Sequence, residues 1–212
     1  MFSAKEWALI LAVTVLSLFI TLGQIFTAPN PRRSVGGLKE PVQTAATGHA
    51  TAYSAGYNVN ITYKYAYDIE ALVVHTCNYN GSDIASQLSP RDVALAWGQV
   101  ARQNDKIDFH WTQRGRWYYW RLSADDEFKI GGMEMVGYQS SNNHLIPKDS
   151  IAKKQIMKIK TGDHIRIKGD LVDVYGSKPD GSYYTWNSST SREDTGDGAC
   201  EVIYVTDVYF ID

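Results

Sequence analysis

The strongest hydrophobic pattern in the chain is an apolar run from Trp7 to Phe26, with charged side chains before it only at Lys5 and Glu6. Such a run matches the roughly 20 helical residues that cross a bilayer core. Its few polar members (Thr14, Ser17, Thr21, Gln24) can bond back to the helix or sit near its ends. A cleaved signal peptide has an apolar stretch of about 7–15 residues and a small-x-small site. Here the run is longer, and Gln24-Ile25-Phe26-Thr27-Ala28-Pro29 offers no Ala-x-Ala. The pattern predicts an uncleaved single-pass anchor over residues 1–27. No Cys follows the run, which excludes a lipoprotein.

After the anchor, residues 28–58 are rich in Pro, Gly, Ser, Thr and Ala and show no periodicity, which predicts a flexible stalk. Residues 59–212 then read as a single β-rich domain, large enough to bury a core. Ile61 to Tyr79 is rich in Tyr, Val and Ile and predicts one long or bent strand. Ser89-Pro90-Arg91-Asp92 has the form of a helix start, and Val93, Ala96, Trp97 and Val100 share one helical face up to about Arg102. Strands follow at 107–111, 116–122 and about 128–136. A second helix is predicted from Lys148 to Lys160, entered by Pro147 and ended near Gly162. His164–Tyr175 reads as a strand bent at Gly169, and 182–186 and 200–211 complete the set. This order predicts an α+β, mainly β fold: a small OB-like β-barrel with two helices.

Charge narrows the function classes. The net charge is −2, so no broad cationic footprint for nucleic acid is present. Lys5 precedes the apolar run, whereas Arg32, Arg33 and Lys39 follow it, which by charge count places the domain in the cytoplasm. Single N-terminal anchors usually deliver the following domain outward, and an extracytoplasmic domain is the expectation here. Cys77 and Cys200 could pair there, closing a loop of more than half the chain, but spacing alone does not bring their Cα atoms together. No cofactor motif or metal-ligand spacing is present.

Three segments can carry chemistry. Residues 111–121 are the densest aromatic and basic cluster, and strand alternation puts Trp117, Tyr119 and Arg121 on one face. Rings beside Arg suit stacking on a sugar or a base; they equally suit a core strand whose Arg tips reach water. His144 lies in a polar stretch, Ser140-Ser141-Asn142-Asn143-His144, read as a loop leading into the second helix. The stretch Arg192-Glu193-Asp194-Thr195-Gly196-Asp197-Gly198-Ala199-Cys200-Glu201 gathers an Arg, carboxylates and a Cys before the last strand. A Cys with a distant His is a conceivable nucleophile pair, so the catalytic candidates are His144, Arg192, Glu193, Asp194 and Cys200. The plainer reading is a self-bonded turn.

Several blocks also resemble an uncharacterised bacterial family with a short N-terminal membrane segment and one small domain. They are Asp92-Val93-Ala94-Leu95-Ala96-Trp97-Gly98, Arg116-Trp117-Tyr118-Tyr119-Trp120-Arg121, Asn143-His144-Leu145-Ile146-Pro147 and the Ser191–Glu201 stretch. The resemblance spans about Tyr65 to Asp207 and implies a bacterial envelope protein, with Cys200 inside the most specific block and Cys77 outside any. It carries no activity with it. The resulting expectation is a bacterial inner-membrane protein, tethered to the bilayer through residues 7–26, with its domain in the periplasm. There it serves as a binding or assembly module with an envelope protein partner. The alternatives are an envelope hydrolase using the Arg192–Glu201 stretch with His144, and a single-strand nucleic-acid binder using the Trp117–Trp120 strand, which the charge balance disfavours.

Overall fold

The computed structural model describes residues 32–193 and 199–211. The predicted anchor and Asp194 lie outside the described residues, within which no helix is long and apolar enough to cross a membrane. The fold is α+β and mainly β. Its strands are β1 (Val42–Ala45), β2 (His49–Ser54), β3 (Tyr57–Asn78), β4 (Arg91–Ala96), β5 (Thr112–Arg114), β6 (Trp117–Tyr119), β7 (Ser140–Pro147), β8 (His164–Ser177), β9 (Tyr183–Asn187) and β10 (Glu201–Ile211). Five short helices intervene: α1 (Ile84–Leu88), α2 (Gly98–Gln103), α3 (Ala124–Ile130), α4 (Met133–Tyr138) and α5 (Ser150–Ile156).

The long Tyr/Val/Ile-rich strand forms as its composition predicts, and it organises the sheet. Along one edge β3 pairs antiparallel with β2, β1 and β4 in turn; along the other it pairs with β8 from Asn58 to Leu72. β4 pairs with β7, β7 runs parallel to β10, and β10 pairs with β8. The ladder therefore returns to β3, and β9 adds to the free end of β8. β5 and β6 form a separate hairpin whose two-residue turn, Gly115–Arg116, has positive φ at both positions, as a type I′ turn requires. The main core gathers Ile69, Leu72, Leu95, Trp97, Ile156, Ile165 and Val205; a second cluster holds Val59, Ile61, Ile84, Ile146, Val174 and Val202.

Several expectations give way. Residues 32–58 are not a free stalk: Leu38 is buried, Val35 N donates to the Ala101 carbonyl at 3.0 Å, and β1 and β2 pair with β3. The helix expected from Ser89 is strand β4 followed by the short helix α2. Ser89 instead closes α1, which Asp83 caps by accepting from Ser86 N. β4 is flanked by β3 and β7, so both its faces and edges are covered and its apolar run shows no alternation. A fully buried strand of this kind mimics a helix periodicity.

Residues 128–136 are not a strand but span α3 and α4. The signals are Ser123 as cap, three acids in the first turn, and Gly131 closing α3 at φ 90°. Residues 107–109 are not a strand: Ile107 and Phe109 are buried with Asp108 exposed between them, and the helix after Pro147 is only α5, entered through an Asp149 cap. The polar stretch 140–147 is no loop: it is β7, buried along almost its whole length.

Gly169 sits in a continuous β8, with φ outside the left-handed region. The irregularity falls on its neighbour β10, where the register shifts between Val205, opposite Gly169, and Asp207. Glycine is needed at this position because a Cβ would collide with the Tyr204 carbonyl.

Candidate functional site

Neighbouring strands assemble the site. On β4 and β7, Asp92 stands directly opposite His144; on β7 and β10, Glu201 is level with Asn143, so Cys200 enters beside Asn142. Asp92 is fully buried. Its Oδ1 accepts from Arg116 Nη1 at 2.7 Å and Ser89 Oγ at 3.3 Å, and lies 3.0 Å from His144 Nδ1. The carboxylate stands off the Nδ1–H axis, so the His144 contact is an electrostatic pairing rather than an aligned bond. Arg116 is aimed here by the tight β5–β6 turn; its guanidinium stacks 3.6 Å from the Tyr79 ring centroid and donates to the Ser89 carbonyl at 2.9 Å.

The imidazole of His144 is 2 % exposed, faces both Asp92 and the Cys200 thiol, and has the Trp186 ring 4.6 Å away. Burial pushes its pKa down. Asp92 and Cys200 together outweigh burial, and the net shift is upward. Asn142 Nδ2 reaches Cys200 Sγ at 3.5 Å while donating to the Arg116 carbonyl at 2.8 Å. Both cysteines are free thiols, so the disulfide is not formed.

Cys200 opens onto a cavity of about 430 Å³ whose walls include Trp117, Tyr118, Trp120 and Tyr138, with Arg192 and Glu193 beside them. Tyr118 is held by Ser140, through its hydroxyl at 3.2 Å and its carbonyl at 3.4 Å, and burial raises the phenol's pKa. Arg192 pairs with Glu201, which is fully buried at the start of β10, and lies 5.9 Å from the Trp97 ring centroid.

Of the sequence candidates, Cys200 and His144 meet, and Arg192 and Glu193 line the cavity beside Cys200. His144 lies behind the thiol. Among the proposed stacking residues Trp117 lines the cavity, whereas Tyr119 and Arg121 are exposed outside it; β6 ends at Tyr119, so strand alternation does not extend to residue 121. Sequence reasoning missed Asp92 and Asn142, and strand alternation put Arg116, Tyr118 and Trp120 on the face opposite Trp117, whereas Tyr118 and Trp120 line the same cavity as Trp117. Asp92 had a signal, a lone acid leading an apolar run, but reading it as part of a helix cap hid its direction. Among the described residues, no cluster of three or more His, Cys, Asp or Glu is placed to hold a metal ion. No family model, curated protein or solved structure matches the chain.

Proposed function

We propose that this protein is a membrane-tethered binding module whose aromatic cavity takes a flat or apolar ligand group. The observation that carries the reading is the cavity itself: Trp117, Tyr118, Trp120 and Tyr138 supply apolar walls, and Arg192, Glu193 and Ser141 supply a few polar groups. Pockets for small ligands have this make-up.

The strand circuit supports an OB-like barrel as the scaffold. It runs β3–β4–β7–β10–β8 and back to β3, with β7 and β10 parallel and α5 between β7 and β8. OB folds bind ligands over their second and third strands and through the loop joining the fourth and fifth. Here those are β4, β7 and the β8–β10 connection, and Ser140, Ser141, Arg192 and Cys200 lie on them. An apolar run at Trp7–Phe26 supports the tether, and the envelope location and a protein partner there follow from the family resemblance.

Tryptophan fluorescence tests the binding reading. Sugars, nucleosides, peptides and acyl compounds are titrated onto the full-length protein in detergent. A saturable response that is lost in Trp117→Ala and Trp120→Ala, at unchanged melting temperature, is the expected result. Responses unaffected by either substitution overturn it. Carbonate extraction of membranes and a reporter fused after Asp212 test the anchor and the periplasmic side.

A further inference from the structure

We propose that Cys200 is a nucleophile with His144 as its base, and that the aromatic cavity presents it with the acyl group of a thioester or aryl ester. The inference rests on the reading of the cavity as a ligand site and names the chemistry performed there.

Three adjacent strands converge to make it. Asp92 on β4 faces His144 on β7, whose imidazole interacts in turn with the thiol of Cys200 at the start of β10, on the same face as Asn142 and His144; in the resting geometry that thiol donates to the Arg116 carbonyl at 3.9 Å. A thiol beside an imidazole whose far side is paired electrostatically with a buried carboxylate is the arrangement of an activated sulfur nucleophile. The thiol also lines an open cavity, where a scaffold cysteine would be sealed.

The burial of His144 selects the substrate. In the first step His144 takes the Sγ proton and sulfur attacks the acyl carbon. The bond from that carbon to its leaving atom breaks, and the electron pair goes with the leaving group. An amine must be protonated as it departs, but His144 is 2 % exposed and stands behind sulfur, not in the cavity. A thiolate or phenolate leaves without that help and takes up the proton from the imidazolium through solvent. Water then attacks the acyl carbon, the carbon–sulfur bond breaks with its electron pair on Sγ, and one water proton passes to Sγ, leaving the carboxylic acid and the free Cys200 thiol. The sum is acyl–X plus water giving acid plus HX. The aromatic walls hold the acyl chain.

The test uses full-length protein in detergent with p-nitrophenyl butyrate. The expected results are a burst of p-nitrophenol and a butyryl adduct that peptide mass spectrometry maps to Cys200, not Cys77. His144→Asn should slow acylation about 100-fold, the scale of a general base. Asp92 acts through His144 as a positioning residue, so Asp92→Asn should slow acylation at unchanged KM, whereas a scaffold role would move both. Should the His144 variant not fold, iodoacetamide on the wild type decides: Cys200 alkylated about tenfold faster than Cys77 supports the proposal. Equal or slower alkylation overturns it, as does acylation undiminished in His144→Asn. Cys200→Ala cannot be acylated and isolates the binding reading. A fluorescence response in that variant without a wild-type adduct sinks the nucleophile alone, and no response sinks the cavity reading itself.

Discussion

Glu201 enters β10 as a fully buried carboxylate, and Arg192, from the connection before it, is its ion-pair partner. Removing one member of such a pair leaves an uncompensated buried charge, a loss of about 3–5 kcal/mol. Arg192 keeps a quarter of its side chain exposed, so Arg192→Ala should fall near the lower end, about 3 kcal/mol. Combining it with Glu201→Gln should restore part of that loss. Urea unfolding of the single and double variants measures both, and a midpoint unmoved by Arg192→Ala would return this arginine to a purely ligand-facing role.

Gly169 and the Tyr204 carbonyl set the spacing between β8 and β10. The obstacle is backbone within a ladder, which cannot swing aside as a side chain does. Gly169→Ala should therefore destabilise the domain by about 1–3 kcal/mol, the range for overpacking. Thermal or urea melts check this, and a variant as stable as the parent refutes the close approach.

His144 should make stability depend on pH in a defined direction. Burial lowers its pKa, but Asp92 and Cys200 reverse that and raise it above the ordinary 6.5, so folding favours the imidazolium. The stabilisation is then fully present below pH 6.5 and lost as pH rises through the folded-state value. The difference in urea midpoint between wild type and His144→Asn should shrink from pH 6 to pH 9. A difference that grows with pH shows that burial has won.

Asp149 caps α5 by accepting from Ile151 N at 2.8 Å and Ala152 N at 2.9 Å. Asp149→Ala should cost about 1 kcal/mol, and Asp149→Ser should recover most of it. Protein in which Ala and Ser variants melt together with wild type would show that core packing of Ala152 and Ile156 suffices to hold the helix.

Periodicity and composition by themselves determined the strands whose two faces differ or whose ends carry turn signals. The long β3, with Val59, Ile61, Tyr67 and Ile69 inward, was legible, as were β8, β9 and β10, although the bend expected at Gly169 is absent from the continuous β8. These features are local: a two-residue alternation, a β-branched run. The pairing of Cys200 with a histidine was legible only as a possibility of chemistry.

Tertiary structure decided the rest. Arg91–Ala96 carries apolar residues at helical spacing, yet β3 and β7 claim both its edges and make it a strand. Ser140–His144 is polar enough for a loop, yet the carbonyls of Val93, Val136 and Arg116 accept from the Asn143 amide, the Ser140 hydroxyl and the Asn142 amide in the interior. A sequence records the cost of burying those groups but not the partners that offset it. Asp92, His144 and Cys200 are far apart along the chain; they meet because β4, β7 and β10 are adjacent and in register, a relation between strands that no single strand encodes.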